Sequence, residues 1–237
     1  MTIKTSTRRA ESARWVPASL VALSLVPAVM GSLRLGELFG GPALMPANPG
    51  IAASPVPVVV HLASVIPYAL LGAFQFSSRL RRHHPGWHRG SGRLLVVLGL
   101  VVALSGLWMT LAYPRGLGTG VLLYAFRLLA GSAMAASVLL GILAIRRRDI
   151  AHHQAWMTRA YALALGAGTQ VFTGAVAAGF PDGGVLTHDL ALSAAWVINL
   201  AVAESAIHRS RSRRPGRQSR ATAREVGPRD RHSSWRK

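Results

Sequence analysis

Apolar positions in this chain come in unbroken runs, not in alternation with polar ones at helix or strand period. Runs of about 20 residues recur, each long enough to carry a helix across about 30 Å of hydrocarbon. Six are expected to form membrane-spanning helices: Trp15–Leu35, Val56–Ser78, Leu94–Tyr113, Leu117–Ile145, Ala160–Phe180 and Asp189–Ile207. No segment shows the alternation over about ten residues that marks a barrel strand. The fold class is therefore expected to be all-α, a polytopic membrane helical bundle of about six helices. Residues 15–208 form the transmembrane domain, between an N-terminal segment at 1–14 and a basic tail at 209–237.

Charge sharpens this picture by its placement. The chain has 237 residues, 51% of them hydrophobic and only 15% charged, yet a formal net charge of +19. So large an excess invites a nucleic-acid reading, but the bases sit between the apolar runs and in the tail. Arg79, Arg81, Arg82, Arg89 and Arg93 separate runs two and three; Arg146, Arg147, Arg148 and Arg159 separate runs four and five. The other connections carry Gly, Pro, Glu37, Asp182 and Asp189 with hardly any base. By the positive-inside rule the arginine-rich loops and both termini face the cytoplasm. Lys4, Arg8, Arg9 and Arg14 before the first run look like a secretory leader. No small-residue cleavage site follows, so that run is expected to remain as the first span. The Arg-, Ser- and Pro-rich tail from His208 to Lys237 is expected to be disordered and to lie on anionic headgroups. Its one aromatic residue, Trp235, is too little stacking surface for specific nucleic-acid binding.

Few polar side chains fall inside the runs, and each is a functional candidate because burying it in hydrocarbon is costly. His61, Arg127, Gln170 and Asn199 are the ligand-binding candidates, the last three near mid-span by residue count. Arg127 is the most informative, since a guanidinium does not shed its charge and needs water, acceptors or an anion. With His61 it reads as a site for an anion, a carboxylate or a quinone carbonyl facing an outward cavity; the plain alternative is that it snorkels or bonds Asn199 and nearby carbonyls. Glu204, closer to the basic end, is expected to pair with Arg159 or Arg93.

The stretch RLRRHHPGWHRGSGR, residues 79–93, and the loop around His152 and His153 concentrate histidine and tryptophan among arginines. Arg79, Arg81, Arg82, Trp87, Arg93, Trp156 and Arg159 are expected at the lipid interface, with the tryptophans anchoring the hairpin ends. A b-type haem held by His88 and His153 is the cofactor alternative, provided that spans three and five are neighbours. Cysteine is absent, and Asp149 is the sole carboxylate interleaved with these histidines, so a metal centre is not expected. No nucleophile elbow, phosphate loop or paired-carboxylate motif occurs, and soluble-enzyme chemistry is unsupported.

The two loops also suggest a weak internal repeat. One alignment matches HPGW at His84 with HQAW at His153. The other starts from helix caps, His84 before Pro85 and Asp149 before Ile150, and pairs His88 with His153. In span five Gly166, Gln170, Gly174 and Ala178 recur at every fourth position, as do Gly99 and Ala103 in span three, favouring close helix approach.

His61, GAFQFSSRLRRHHPGWHRGSGR, RRRDIAHHQAWMTRAYALALGAGTQ and INLAVAE together resemble a family of bacterial predicted membrane proteins, domain of unknown function 2306. The resemblance covers spans two to six, and WMTRAY in the second loop is its most specific part. It implies a multi-pass helical core in a bacterial inner membrane and no assigned activity. The expected function is non-enzymatic: an intramembrane polar site that binds or moves a small molecule or proton. The alternatives are a haem- or quinone-linked redox protein and a lipid-binding structural or regulatory protein whose partners are anionic headgroups.

Overall fold

A computed structural model describes residues 4–115 and 119–212, and the side chains of 15–115, 119–180 and 182–212. The described residues form helices α1 (Lys4–Leu38), α2 (Pro49–Ala53), α3 (Val56–Gln75), α4 (Ser78–His83), α5 (Pro85–Ala112), α6 (Val121–Arg146), α7 (Ile150–Ala164), α8 (Gly166–Ala178) and α9 (Gly184–Ser212), with a 3₁₀ turn at Pro181–Gly183. Five helices, α1, α3, α5, α6 and α9, are long and apolar enough to cross a membrane. The pair α7 and α8 passes the same test only jointly, as a sixth span bent by 44°.

Connectivity gives the bundle two chemically distinct ends. Helices α3, α5, α6 and α7 form a ring in which each packs on the next and α7 closes onto α3, so α5 and α7 face each other across a diagonal. Helix α1 lies against α3 and α8, and α9 covers α6, α7 and α8. At one end, the basic end, lie Arg79, Arg81, Arg82 and Arg146–Arg148 with the start of α1 and the end of α9. Residues 39–55, 113–115, 119–120 and 179–183 gather at the opposite end.

Small residues let the helices approach. A Cβ at Gly99 would stand 2.9 Å from the Tyr68 ring, and one at Gly72 would run into Tyr161. These two tyrosines centre the core with Val102, Met134 and Leu163, and Tyr161 Oη donates to the Ala69 carbonyl at 2.6 Å. Outward-facing Leu104, Trp108, Leu129 and Val202 remain exposed, as a lipid-facing surface requires.

Several boundaries differ from those the sequence suggests. The third span starts at Pro85, not Leu94, and the fifth at Ile150, not Ala160. His88 and His153 are thus the fourth residues of their helices, not loop residues. Helix α1 runs back to Lys4 and α9 on to Ser212; residues 213–237, which make up most of the expected tail, lie outside the described residues. Leu117, the expected start of span four, is also outside them, and α6 begins at Val121.

Candidate functional site

A cavity of about 510 Å³ enters the bundle from the end opposite the basic loops and reaches the break between α7 and α8. Its walls come from α1, α3, α5, α6, the end of α7, α8 and α9, and it falls within the roughly 300–1,000 Å³ typical of small-molecule sites. His61, Arg127 and Gln170 all line it. His61 lies five residues into α3, Ser105 seven residues before the end of α5, and Arg127 six residues into α6. At about 1.5 Å per residue these three stand at similar depths, roughly 8–10 Å inside the helix ends.

The hydrogen bonds around His61 fix its tautomer. Ser105 Oγ has a single proton, which it donates to the Val101 carbonyl at 2.6 Å with Val102 O at 3.2 Å. It therefore accepts from His61 Nδ1 at 3.0 Å, and Nε2 of this cavity-lining ring is left as the unprotonated nitrogen.

Arg127 makes no hydrogen bond or ion pair with a protein group among the described residues. The carboxylate that acts on it electrostatically is Asp189 on α9. Both Asp189 oxygens are already engaged at the start of α6, accepting from Gly120 N and Leu123 N at 3.0 Å each, and the residue is 2% exposed. Arg115, four residues before the described chain resumes at Thr119, places its guanidinium 4.7 Å from the centre of the Tyr124 ring. Tyr124 and Arg127 share a face of α6 at i and i+3, and Arg115, Tyr124 and Arg127 all line the cavity. Two cations thus converge on it.

The rim is folded, not a slack connection. Asn48 caps α2, accepting from Gly50 N at 3.0 Å and Ile51 N at 3.2 Å, and itself lines the cavity. Gly50 packs on the Tyr113 ring, where a Cβ would stand 2.7 Å from it, and Tyr113 Oη donates to Ser54 O at 2.5 Å. Glu37 accepts from Arg34 Nη1 at 2.8 Å, from Met45 N at 2.6 Å and from Leu44 N, which fixes the loop before α2. Neither Arg115 nor Asn48 is among the sequence candidates. The dipeptide Asn48-Pro49 carries the signal that could have found the rim, an N-cap followed by a proline at the first helical position.

At the floor, Gln170 and Asn199 hold the bent span together. Gln170 Nε2 donates to the Leu192 carbonyl at 3.1 Å, joining α8 to α9. Asn199 Nδ2 donates to the Ala162 carbonyl at 3.1 Å, and its Oδ1 accepts from Thr169 Oγ1 at 2.8 Å. One side chain thereby clamps α7 and α8 across the break. Asn199 lies deeper than Arg127 and makes no part of the cavity lining, so the structure brings together three of the four candidates. Gly166 lies against Trp196 and Gly168 against the Leu23 carbonyl, leaving no room for a side chain at either place.

The basic end carries the remaining candidates. Asp149 caps α7 through His152 N at 3.0 Å, while His84 precedes Pro85 at the start of α5. The helix starts thus agree with the alignment that pairs His88 with His153. These two lie on α5 and α7, diagonal in the ring and not packed on each other, yet near enough for one imidazole to act electrostatically on the other. His153 Nδ1 donates to the Gly141 carbonyl at 2.8 Å. Arg159 meets Glu204 through two bonds, 2.5 and 2.9 Å, and its guanidinium lies 4.6 Å from the Trp156 ring centre. Among the described residues, no group of three or more acidic or imidazole side chains is arranged to hold a metal ion.

With this geometry in place, the comparisons with known proteins are specific on one point. The family model described as predicted membrane protein, DUF2306, matches residues 58–207. The chain belongs to that family. No curated protein and no solved structure matches it. The DUF2306 match runs from α3 to α9 and contains His61, Arg115, Arg127 and Gln170; the cavity walls from α1 and Asn48 lie outside it.

Proposed function

We propose that this membrane protein binds a small molecule in the cavity around Arg127, without catalysing a reaction on it. The observation that carries the reading is an arginine nearly two turns inside a helix, lining a 510 Å³ cavity with no ion-pair or hydrogen-bond partner among the described residues, Asp189 acting on it only at a distance. A permanently charged group in a low-dielectric bundle needs a counter-charge or acceptors, and a ligand supplies them. The cavity would open to the exterior of a bacterial inner membrane, since the arginine-rich loops belong on the cytoplasmic side. There those arginines, with Trp87 and Trp156, would meet anionic headgroups. The test is to identify by mass spectrometry the small molecules that co-purify with the protein. A ligand present in the wild type and lost in both Arg127→Met and Ala130→Phe, which fills the cavity, supports the reading; the same molecules at equal occupancy in all three proteins would return Arg127 to a structural role.

A second reading is favoured by the equal register of His88 and His153. A b-type haem between them would give a Soret band in protein from haem-replete cells, and either histidine changed to alanine would remove it. A colourless preparation would end that reading.

A further inference from the structure

We infer that the ligand of this cavity is a single-chain anionic amphiphile, its carboxylate head on Arg127 and Arg115 and its hydrocarbon chain along the apolar floor. The inference deepens the proposed function and rests on it. Its basis is the polarity gradient along the cavity. At the mouth stand Arg115, Tyr124 and Arg127 with His61 and Asn48. Below them the wall turns mainly apolar, with Val65, Ile66, Val102, Met134 and Trp196 leading to the break at Leu165; its polar members, Ser24 and Gln170, donate to the Leu20 and Leu192 carbonyls.

Net charge at the mouth favours an anion. Asp189 is the acid that acts on Arg127, but it is buried, its two oxygens each accept an amide bond, from Gly120 and Leu123, and no hydrogen bond or ion pair joins it to Arg127 among the described residues. Arg115 rests on the face of Tyr124, an arrangement that leaves its N–H edges free. Planar guanidinium groups recognise carboxylates by paired N–H···O bonds, which are strongest where water is excluded. His61, locked as the Nδ1–H tautomer by Ser105, adds an acceptor nitrogen, not a second fixed charge. An inorganic anion would use the mouth and leave the apolar floor in contact with water. A neutral chain would fill the floor and leave two arginines unmatched. A molecule with both parts satisfies both regions, and the volume suits one medium-length chain, not the two chains of a membrane phospholipid.

The experiment uses the full chain in nanodiscs of zwitterionic phosphatidylcholine, with protein-free nanodiscs as the partitioning control. Dodecanoate is expected to bind, and dodecanol, acetate and inorganic phosphate each to bind weaker by about tenfold or more, the scale of one lost charge-assisted contact or of a lost apolar chain. Arg127→Gln is expected to reduce dodecanoate to the level of dodecanol, with Arg115→Gln intermediate. Equal affinity for dodecanol and dodecanoate would overturn the anionic head, and equal affinity for acetate or phosphate would overturn the chain; both comparisons use the wild type and survive a variant that fails to fold. Dodecanoate binding unchanged in Ala130→Phe places the ligand elsewhere and overturns the cavity reading too. Absence of dodecanoate binding, while a molecule of another class co-purifies with the wild type and is lost in Ala130→Phe, overturns the ligand class alone.

Discussion

Asp189 shows how one side chain organises the cavity mouth. It is buried, and its two oxygens serve two amides at the start of α6 that have no partner within that helix. Asp189→Ala would strand both amides in a buried place, at a cost of about 2–3 kcal/mol, whereas Asp189→Asn keeps one acceptor and should lose roughly half as much. Thermal unfolding in detergent checks the order. In the sequence Asp189 reads as one acid of a base-poor loop, because the amides it caps lie 66 and 69 residues away. The cap at Asp149 is local and legible. There the His152 amide, and then its imidazole 2.6 Å away, hold the carboxyl below the usual carboxylate range. A carboxyl whose folded pKa is depressed contributes stability that is fully present above its unfolded pKa, about 3.9, and fades as pH falls through the lower folded value. Melting compared between wild type and Asp149→Asn should therefore differ by a constant amount from pH 7 to 5. The difference should shrink only below about pH 4; a change centred between pH 6 and 7 would show that the carboxyl is not the titrating group.

At the scale of elements, the bent span depends on which glycines are crowded. The spacing of Gly166, Gln170, Gly174 and Ala178 is visible in the sequence and correctly implies close packing of α8. The sequence does not say which of these positions has a neighbour inside Cβ range, since that depends on Trp196 of α9 and the backbone of α1. Gly168, outside the four-residue pattern, is the tightest against a main chain: the Leu23 carbonyl occupies the place of its Cβ, and a backbone atom does not move aside as a side-chain tip does. At Gly174 the nearest atom, Leu192 Cδ2, would be 3.5 Å away, an ordinary contact. Gly168→Val should thus destabilise by about 2 kcal/mol or more through overpacking, while Gly174→Ala should be neutral or stabilising by up to about 1 kcal/mol from helix propensity. Equal melting temperatures for the two variants would mean that α1 does not cross α8 at Gly168. The six spans themselves were legible because hydrocarbon thickness sets their minimum length. Their starts at Pro85 and Ile150 were missed because the first turns of α5 and α7 carry His and Arg, which by composition read as loop.

For the whole molecule, the decisive asymmetry is between its two ends. The loops joining α3 to α5 and α6 to α7 hold Arg79, Arg81, Arg82 and Arg146–Arg148 with Asp149 as the only acid. At the opposite end Arg34, near the end of α1, is paired with Glu37, and Arg115 is the described arginine that lies in a loop. Lys and Arg in short loops set orientation through their retention on the cytoplasmic side, whereas acids contribute little. On the proposed orientation the cavity would be presented away from the cytoplasm, and the guanidiniums that line it lie at the opposite end from the arginine-rich loops. That separation makes the functional and topological roles of charge independently testable. Alkaline phosphatase inserted between Pro42 and Ala43 should be active in a bacterial host, and a green fluorescent protein fused after Lys237 should fluoresce. Arg127→Met and Arg115→Gln should leave both signals unchanged, because neither residue belongs to the loops that set topology. Replacing Arg79, Arg81, Arg82 and Arg146–Arg148 together by glutamine should reduce both signals by several-fold and produce a mixed population. An active phosphatase at the C-terminus of the wild type would invert the orientation and with it the side from which a ligand reaches Arg127.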